Sequence, residues 1–381
     1  MKIMQVIGGG EKGGSRNHII TLSKELLKKG IQVEIVCFID DVVAESARAH
    51  SIPVTIFPMK HILDLRAIQQ LHKYIKKKKP HIVHTHGVRA NFIGRLATRM
   101  TGIPVLTTIH SSIYHDYAHP LKKLFYHRIE KLTRSFTKKF IAVAGSLKKE
   151  LEQDGICPEK IKVVYNGLSP DFPIGTKPEP FLRKELGLKE DIPILMTIGR
   201  LERVKNQTML LRVFAVLKQN GIPFHGVIVG DGPLHAELKE MAHSLNIEQQ
   251  VSFLGFRKDI YPLLSEADLF LLTSNMEGLP ITLLESMASH TPVVVTDVGG
   301  MSEVIQLARN GFYVPSGDIE QFAARIQEIL VQPELKQKLA VNGYQTLLKH
   351  FTAEQFIKNT IEVYKEVQVG KKSARKKEVE S

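Results

Sequence analysis

The sequence predicts two Rossmann-like α/β domains, each built on a parallel sheet, facing each other across a cleft. Three observations lead there. A chain of 381 residues, 43% hydrophobic and 24% charged, has the length for two full cores. Short apolar runs alternate with stretches of helical period through both halves, the signature of repeated βαβ units. Between the halves, residues 170–180 gather Pro170, Pro173, Pro178 and Pro180 with Gly175, a density that resists both helix and central strand.

Each element follows from a local pattern. MKIMQVIGG is a buried strand ending in glycines, and residues 15–29 put Ile19, Leu22, Leu26 and Leu27 on one helical face before Gly30 stops the helix. IQVEIVCF is the second strand, with others at 81–86, 104–110 and 139–144. The second half repeats the scheme with strands at 194–200, 224–232, 268–274 and 292–297, and helices over 210–217 and 283–287. The boundaries expected are an N-terminal domain at 1–169, a hinge at 170–190 and a C-terminal domain at 191–351. A helix at 352–369, opened by a Thr352/Gln355 capping box, can fold back on the first domain. The charged tail 370–381 lacks a periodic apolar face and is expected to be disordered.

Charge is distributed unevenly. The net charge is +13, from 52 Lys+Arg against 39 Asp+Glu. Residues 1–180 hold 29 basic and 15 acidic side chains, whereas 181–381 hold 23 and 24, so the first half carries all the excess. Such a half suits an anionic partner: nucleic acid, anionic lipid or a phosphorylated substrate. A solvated basic surface with no partner is the competing reading. Cys37 and Cys157 are far apart without metal-type spacing, which fits a reducing cytoplasm. The start lacks a signal-peptide h-region, and no apolar run approaches about 18 residues, so neither export nor membrane spanning is expected.

Several constellations can carry chemistry. The first strand runs into GGGEKGGSRNHI at 8–19, where glycines let backbone approach a ligand and a helix N-terminus favours an anion; a tight turn without a ligand explains it equally. Arg200 ends a strand and Lys205 follows at the start of the next helix. Two cations at that edge can neutralise a diphosphate, or simply decorate an exposed loop. In SNMEGLPITLLESMASHTPVVVTDVGG (274–300), Glu277 lies in a loop, Glu285 lies on the helix that Pro280 helps begin, and Gly299–Gly300 makes a close-approach turn. Carboxylates so placed suit a polyhydroxylated ligand. His84 and His86 of HTH have metal-like spacing but no third ligand readable from the sequence, so strand-end packing is the reading preferred for them.

These residues together resemble the family 4 glycosyltransferases, retaining enzymes of the GT-B fold. The resemblance rests on Gly13–Gly14, His110 in TTIH, VVYNG ending at Gly167, GRLERVKN (199–206), VGDGP (229–233), FLGF (253–256), and Glu277 and Glu285 with seven residues between them, in one register throughout. It implies a nucleotide-diphosphate sugar held mostly by the second domain. Arg200 and Lys205 would hold the diphosphate and stabilise the leaving group, Glu277 the donor sugar and Glu285 the ribose. Gly13 and Gly14 would close over the donor from the first domain, and His110 would position the sugar. Asn206, Gly230, Gly278 and Leu279 complete the implied nucleotide-sugar set. Same-face attack is the usual account of retention there, so the two carboxylates do not take hydrolase roles. No D-x-D spacing occurs, so neither a metal nor another cofactor is expected. Ser286 and the Ser289–His290 pair depart from the family pattern, and His290 is expected to alter the helix end.

The resemblance places the acceptor on the first domain, whose window 71–139 holds fifteen basic residues against Asp116 and Glu130. Within it, residues 121–140 put Leu121, Leu124, Phe125, Ile129, Leu132, Phe136 and Phe140 on one helical face. That stripe is expected to pack on the sheet, with a membrane-surface helix as the alternative. The resulting expectation is a UDP-sugar hexosyl- or N-acetylhexosaminyltransferase acting on a lipid-linked or cell-envelope glycan, cytoplasmic and peripheral on the inner face of the membrane. The alternatives are a soluble small-molecule acceptor, a GT-B nucleotide-sugar epimerase or hydrolase, and, remotely, a nucleic-acid-binding protein; the charge comes with no zinc-finger spacing, recognition helix or stacking cluster.

Overall fold

The computed structural model describes the chain apart from residues 12, 60, 62–63, 113–119, 176–177 and 380–381, and apart from the side chains of 120–123 and 369–379. Asp116, Leu121, Lys122 and Lys123 of the basic window thus lie outside the described side chains. The chain forms two compact units, Met1–Ser169 with Ala353–Ser381, and Pro170–Thr352.

The first unit is a seven-stranded sheet: β1 Lys2–Ile7, β2 Gln32–Cys37, β3 Val54–Ile56, β4 Ile82–His86, β5 Val105–Ile109, β6 Thr137–Ala142 and β7 Ile161–Val163. Their order is β3-β2-β1-β4-β5-β6-β7, with every pairing parallel. The second unit is a six-stranded sheet of β8 Ile194–Ile198, β9 His225–Val229, β10 Val251–Gly255, β11 Leu269–Leu272, β12 Val293–Thr296 and β13 Gly311–Val314. Its order, β10-β9-β8-β11-β12-β13, is again fully parallel. Each order reverses direction once, between β1 and β4 and between β8 and β11. In open parallel sheets the crevice outside the strand C-termini at that reversal is where ligands bind.

The central strands are buried along their whole length because helices cover both faces. The sequence left β3, β7, β10 and β13 unassigned, and these are the four edge strands. They are short and only partly buried, so their sequences lack a continuous apolar run.

The last helix, Ala353–Val379, belongs to the first unit. Phe356, Ile357, Val363, Tyr364 and Val367 join Ile3, Leu22, Ile82, Leu106 and Ile141 in one core. Full burial of side chains of this size is worth about 1.5–3 kcal/mol each, so the helix is part of the core, not a cover for it. The helix also takes in residues 370–379, expected to be disordered. Lys, Arg, Ala and Glu are strong helix formers and continue a helix already nucleated by packing.

Residues 170–190, expected as a hinge, fold with the second unit. Glu266 accepts the backbone N–H groups of Phe181 and Leu182 at 2.7 and 2.8 Å and that of Arg183 at 3.2 Å, fixing the first turn of the helix Leu182–Glu185. A carboxylate at a helix N-terminus satisfies donors that have no partner inside the helix.

The helical stripe expected over 121–140 is shorter. The helix Pro120–Thr133 ends in a 3-10 turn, and Phe140 lies in β6. Phe136 and Phe140 are four apart, a spacing that shares a face in a strand as well as in a helix. Ile129 is buried, but Leu124, Phe125 and Leu132 are exposed at 53, 43 and 73%, so the stripe does not wholly pack on the sheet. The helix is anchored instead by an internal ion pair. Arg95, fully buried, meets Glu130 at 2.6 Å and also donates to Thr133 and Thr107, while Asn91 donates to Glu130. Removing one partner of such a pair strands the other charge in the core. Glu130→Ala is therefore expected to destabilise the first unit by about 3–5 kcal/mol, read as a lower urea midpoint. An unchanged midpoint would remove the pair from the list of anchors.

Candidate functional site

The second unit concentrates its polar groups at the ends of β8 and β11, the reversal point of its sheet. Backbone there passes backbone too closely for a side chain. A Cβ on Gly230, whose φ is 131°, would lie 1.9 Å from the carbonyl oxygen of Gly199, and one on Gly299, with φ 60°, 1.9 Å from that of Glu277. These contacts hold the loops after β8, β9, β11 and β12 against one another. Gly278 accepts the N–H of Gly300 at 2.7 Å.

Lys205 and Glu277 meet in this corner. Lys205 closes a 3-10 turn, Arg203–Lys205, and the chain then turns through Asn206 in the left-handed region, φ 50°. Thr273, at the end of β11, pins that turn by donating to the carbonyl of Asn206 at 2.9 Å. Lys205 Nζ reaches Glu277 Oε1 at 2.5 Å, and Ser274 donates to the same oxygen at 2.7 Å. The other carboxylate oxygen, Oε2, has no hydrogen bond among the described residues, so Glu277 is held by one oxygen and presents the second. Arg200 is exposed and donates to Glu202 at 2.6 Å, a partner not foreseen from the sequence. Asn206 donates to Asn275 at 3.0 Å. Leu279 is buried.

Glu285 lies on the helix Ile281–Ala288, one turn in from Pro280. Burial pushes its carboxyl up to about 7, and it has no side-chain hydrogen bond among the described residues. The two departures in this segment are absorbed locally. Ser286 is buried and donates to the carbonyl of Leu283 at 2.8 Å. His290 adopts the left-handed conformation at φ 56° and stacks on Tyr344 at a centroid distance of 4.1 Å. A glycine would take that backbone conformation without strain, and the ring stack is a contact that offsets its cost.

Gly13, Gly14 and His110 lie in the first unit, the remaining predicted site residues in the second. Gly13, with φ 78°, caps the helix Gly14–Lys28, and a Cβ on either glycine would meet nothing within 4 Å, so the loop has free space around it. The amides of Gly8 and Gly9 are occupied by the Glu11 carboxylate at 3.1 and 2.6 Å. One turn into the same helix, His18 packs edge-on against His110 at 4.5 Å.

Sequence reasoning found no third ligand for the HTH histidines; the fold supplies His18 and His110. His18, His86 and His110 each bring a ring nitrogen within 4.8 Å of the others, a set able to hold a metal. Two of those nitrogens, His86 Nδ1 and His110 Nε2, already share a hydrogen bond of 3.1 Å. His84 is buried and binds Tyr364 and Thr108, as expected of strand-end packing. His18 Nδ1 pairs with Asn166 Oδ1 at 2.8 Å, the asparagine of the VVYNG motif, while its Nε2 is buried with no partner among the described residues. The sequence offered no sign of this cluster, because its members are scattered over the helix after β1, β4, β5 and the segment after β7.

Burial holds His18 down at about 4 and lowers His84, His86 and His110 well below their ordinary value of 6.5. These imidazoles are neutral at neutral pH. The unfolded chain takes up their protons first, so the stability they contribute is lost as pH falls below 6.5, His18's share by about 4. Glu285 has the opposite sign: its share is present below 4.5 and is lost as pH rises to about 7. Glu285→Gln is therefore expected to match the parent's melting temperature near pH 4 and to exceed it at pH 8. Equal melting temperatures at both pH values would contradict the raised Glu285 carboxyl.

Comparison with known proteins identifies the family and the fold. Residues 12–172 match the family described as Glycosyltransferase Family 4, and residues 178–346 that described as Glycosyl transferases group 1. Over 291 residues, 74% of either chain, the sequence is 31% identical to the UDP-Gal:alpha-D-GlcNAc-diphosphoundecaprenol alpha-1,3-galactosyltransferase of Escherichia coli. It is 28% identical over 312 residues to the N-acetyl-alpha-D-glucosaminyl L-malate synthase of Bacillus anthracis, covering 80% of this chain and 79% of that one. Among solved structures, Anabaena HepE in complex with UDP-glucose superposes with a TM-score of 0.85 at 23% identity, over 96% of this chain and all of that one. WaaG, a glycosyltransferase involved in lipopolysaccharide biosynthesis, superposes at 0.73 with 17% identity, over 93% and 98%. With the motifs in register along both parallel sheets, the chain belongs to the family 4 glycosyltransferases and has the GT-B fold.

Proposed function

We propose that this glycosyltransferase moves a hexose or N-acetylhexosamine from a UDP-sugar to a lipid-linked or cell-envelope glycan, with retention at the anomeric carbon. The observation that carries the reading is the Lys205–Glu277 pair at the reversal point of the second sheet. Lys205 and Arg200 offer positive charge to a diphosphate whose leaving-group charge grows in the transition state. Glu277 Oε2 is free to accept a sugar hydroxyl. Glu285, unsatisfied and easily protonated, gains what it lacks when ribose hydroxyls donate to it. No metal has a part in this scheme. The E. coli relative, named for a UDP-Gal donor and a diphosphoundecaprenol-linked acceptor, supports both halves of the proposal.

A soluble acceptor is the second reading, favoured by the similarity to the L-malate synthase of B. anthracis. Assays of one UDP-sugar panel against undecaprenyl-linked and small hydroxylated acceptors separate the two. In the productive assay Lys205→Ala and Glu277→Ala are expected to lose roughly 100- to 1,000-fold in kcat while keeping the parent's fold. Parent-like rates in both folded variants would defeat the site assignment.

The helix Pro120–Thr133 bears on the acceptor. Leu124, Phe125 and Leu132 are exposed beside Arg128 and Lys131, an apolar and basic face of the kind that lies on anionic bilayers. No helix among the described residues is long and apolar enough to cross a membrane. Several basic side chains are engaged in ion pairs, Arg95 with Glu130, Arg134 with Asp154, Lys78 with Glu34 and Lys139 with Glu366. The face on this helix, more than the net charge, is therefore the contact proposed. The protein is expected to float with phosphatidylglycerol vesicles at low salt, and Phe125→Ser/Leu132→Ser to stay behind. Failure of the parent to float would end the membrane reading.

A further inference from the structure

The first unit contains a polar chain that neither the donor site nor the fold's apolar core accounts for. It runs from His110 at the end of β5, through His86 on β4 and Gln5 on β1, to Tyr364 on the C-terminal helix, and on to His84 and Thr108. His110 Nε2 and His86 Nδ1 are 3.1 Å apart, and His86 Nε2 and Gln5 Oε1 2.7 Å. Gln5 Nε2 donates to the Tyr364 hydroxyl at 3.2 Å. That hydroxyl lies 2.9 Å from His84 Nδ1, and His84 Nε2 lies 2.7 Å from Thr108 Oγ1. Gln5, His84 and His86 are at most 1% exposed and Tyr364 is fully buried, so each donor here must find its acceptor within the chain.

The directions then follow from chemistry. An amide oxygen only accepts, so His86 carries its proton on Nε2 and its Nδ1 is a bare acceptor. The proton between His86 and His110 must therefore come from His110 Nε2. At the other end, the tyrosine hydroxyl accepts from Gln5 and gives its one proton to His84 Nδ1, leaving His84 Nε2–H to donate to Thr108. Each link is satisfied in a single direction, and the order is set by which way the Gln5 amide faces.

We infer that this relay makes Gln5 and His86 positioning residues for His110, fixing it in the Nε2–H tautomer with Nδ1 bare. Nδ1 has no partner among the described residues, and the ring is half-buried, so the nitrogen presented is an acceptor for a ligand hydroxyl. Tyr364 completes the relay from the far end of the chain, which gives the C-terminal helix a part in the site as well as in the core. The inference rests on the reading of His110 as a sugar-positioning group. Its own content is the tautomer and the residues that set it.

The test is long-range 15N–1H correlation of histidine-labelled full-length protein at pH 7.5, with His110 assigned through His110→Gln. A single Nε2–H form of His110 is expected. Gln5→Met, similar in shape but unable to accept, should leave His110 as a mixture of tautomers and lower kcat roughly tenfold, about the worth of one oriented hydrogen bond, with little change in the donor KM. Gln5→Glu still accepts from His86 and should keep both the tautomer and most of the rate. A protein whose His110 carries its proton on Nδ1 would overturn the relay, and so would a folded Gln5→Met protein with the parent's His110 signal. If Gln5→Met does not fold, the parent and Gln5→Glu spectra decide. Uptake of one equivalent of Zn2+ by the parent, lost in His18→Gln, would also overturn it, because the same nitrogens would then be metal ligands. Parent-like transfer by His110→Ala would dismiss the sugar-positioning role and leave the tautomer result standing.

Discussion

The second unit depends on loops that approach one another more closely than any side chain allows. Gly230 against Gly199, Gly232 against Leu201 and Gly299 against Glu277 are backbone-to-backbone contacts at the C-terminal edge of one parallel sheet. They fix where β8 and β11 deliver their following residues, and Lys205 and Glu277 meet as a result. A cation and a carboxylate with one tethered oxygen are thereby brought together. The geometry comes from close packing of main chain, and the side chains add charge to a frame that is already set.

The first unit solves a different problem. It holds imidazoles that burial keeps uncharged, and those of His84, His86 and His110 find partners on β1, β4, the end of β5 and the C-terminal helix. A polar network in a dry interior is specific because every member must be satisfied. That condition explains why the final helix returns to the first unit, bringing a tyrosine hydroxyl along with its apolar face.

Much of this was legible in the residues. Central strands such as β8 and β11 announce themselves as unbroken apolar runs, and Lys205, Gly230, Glu277 and Glu285 were singled out by the family motifs they stand in. The edge strands were not legible, since half-buried segments such as β13 carry no comparable pattern. The hinge reading of 170–190 rests on prolines, which report local backbone preference and say nothing of Glu266, 76 or more residues away, whose carboxylate accepts the N–H groups of Phe181, Leu182 and Arg183. The stripe over 121–140 misled because a spacing of four satisfies helix and strand alike. The histidine cluster and the burial of Arg95 against Glu130 are tertiary facts, made by residues with no sequence proximity. The +13 charge shifts meaning accordingly: a net figure does not say which basic side chains are buried in pairs, as Arg95 is, and those on the surface are best judged by the face they share with Leu124, Phe125 and Leu132.

The central claim is that the end of β8 and the loop after β11 form a diphosphate site. Calorimetric titration of UDP and of uridine into the parent protein and Lys205→Gln tests it most directly. The account predicts that UDP binds the parent far more tightly than uridine does, and that this advantage largely disappears in Lys205→Gln while uridine binding is unchanged. An undiminished preference for UDP in the variant would contradict it.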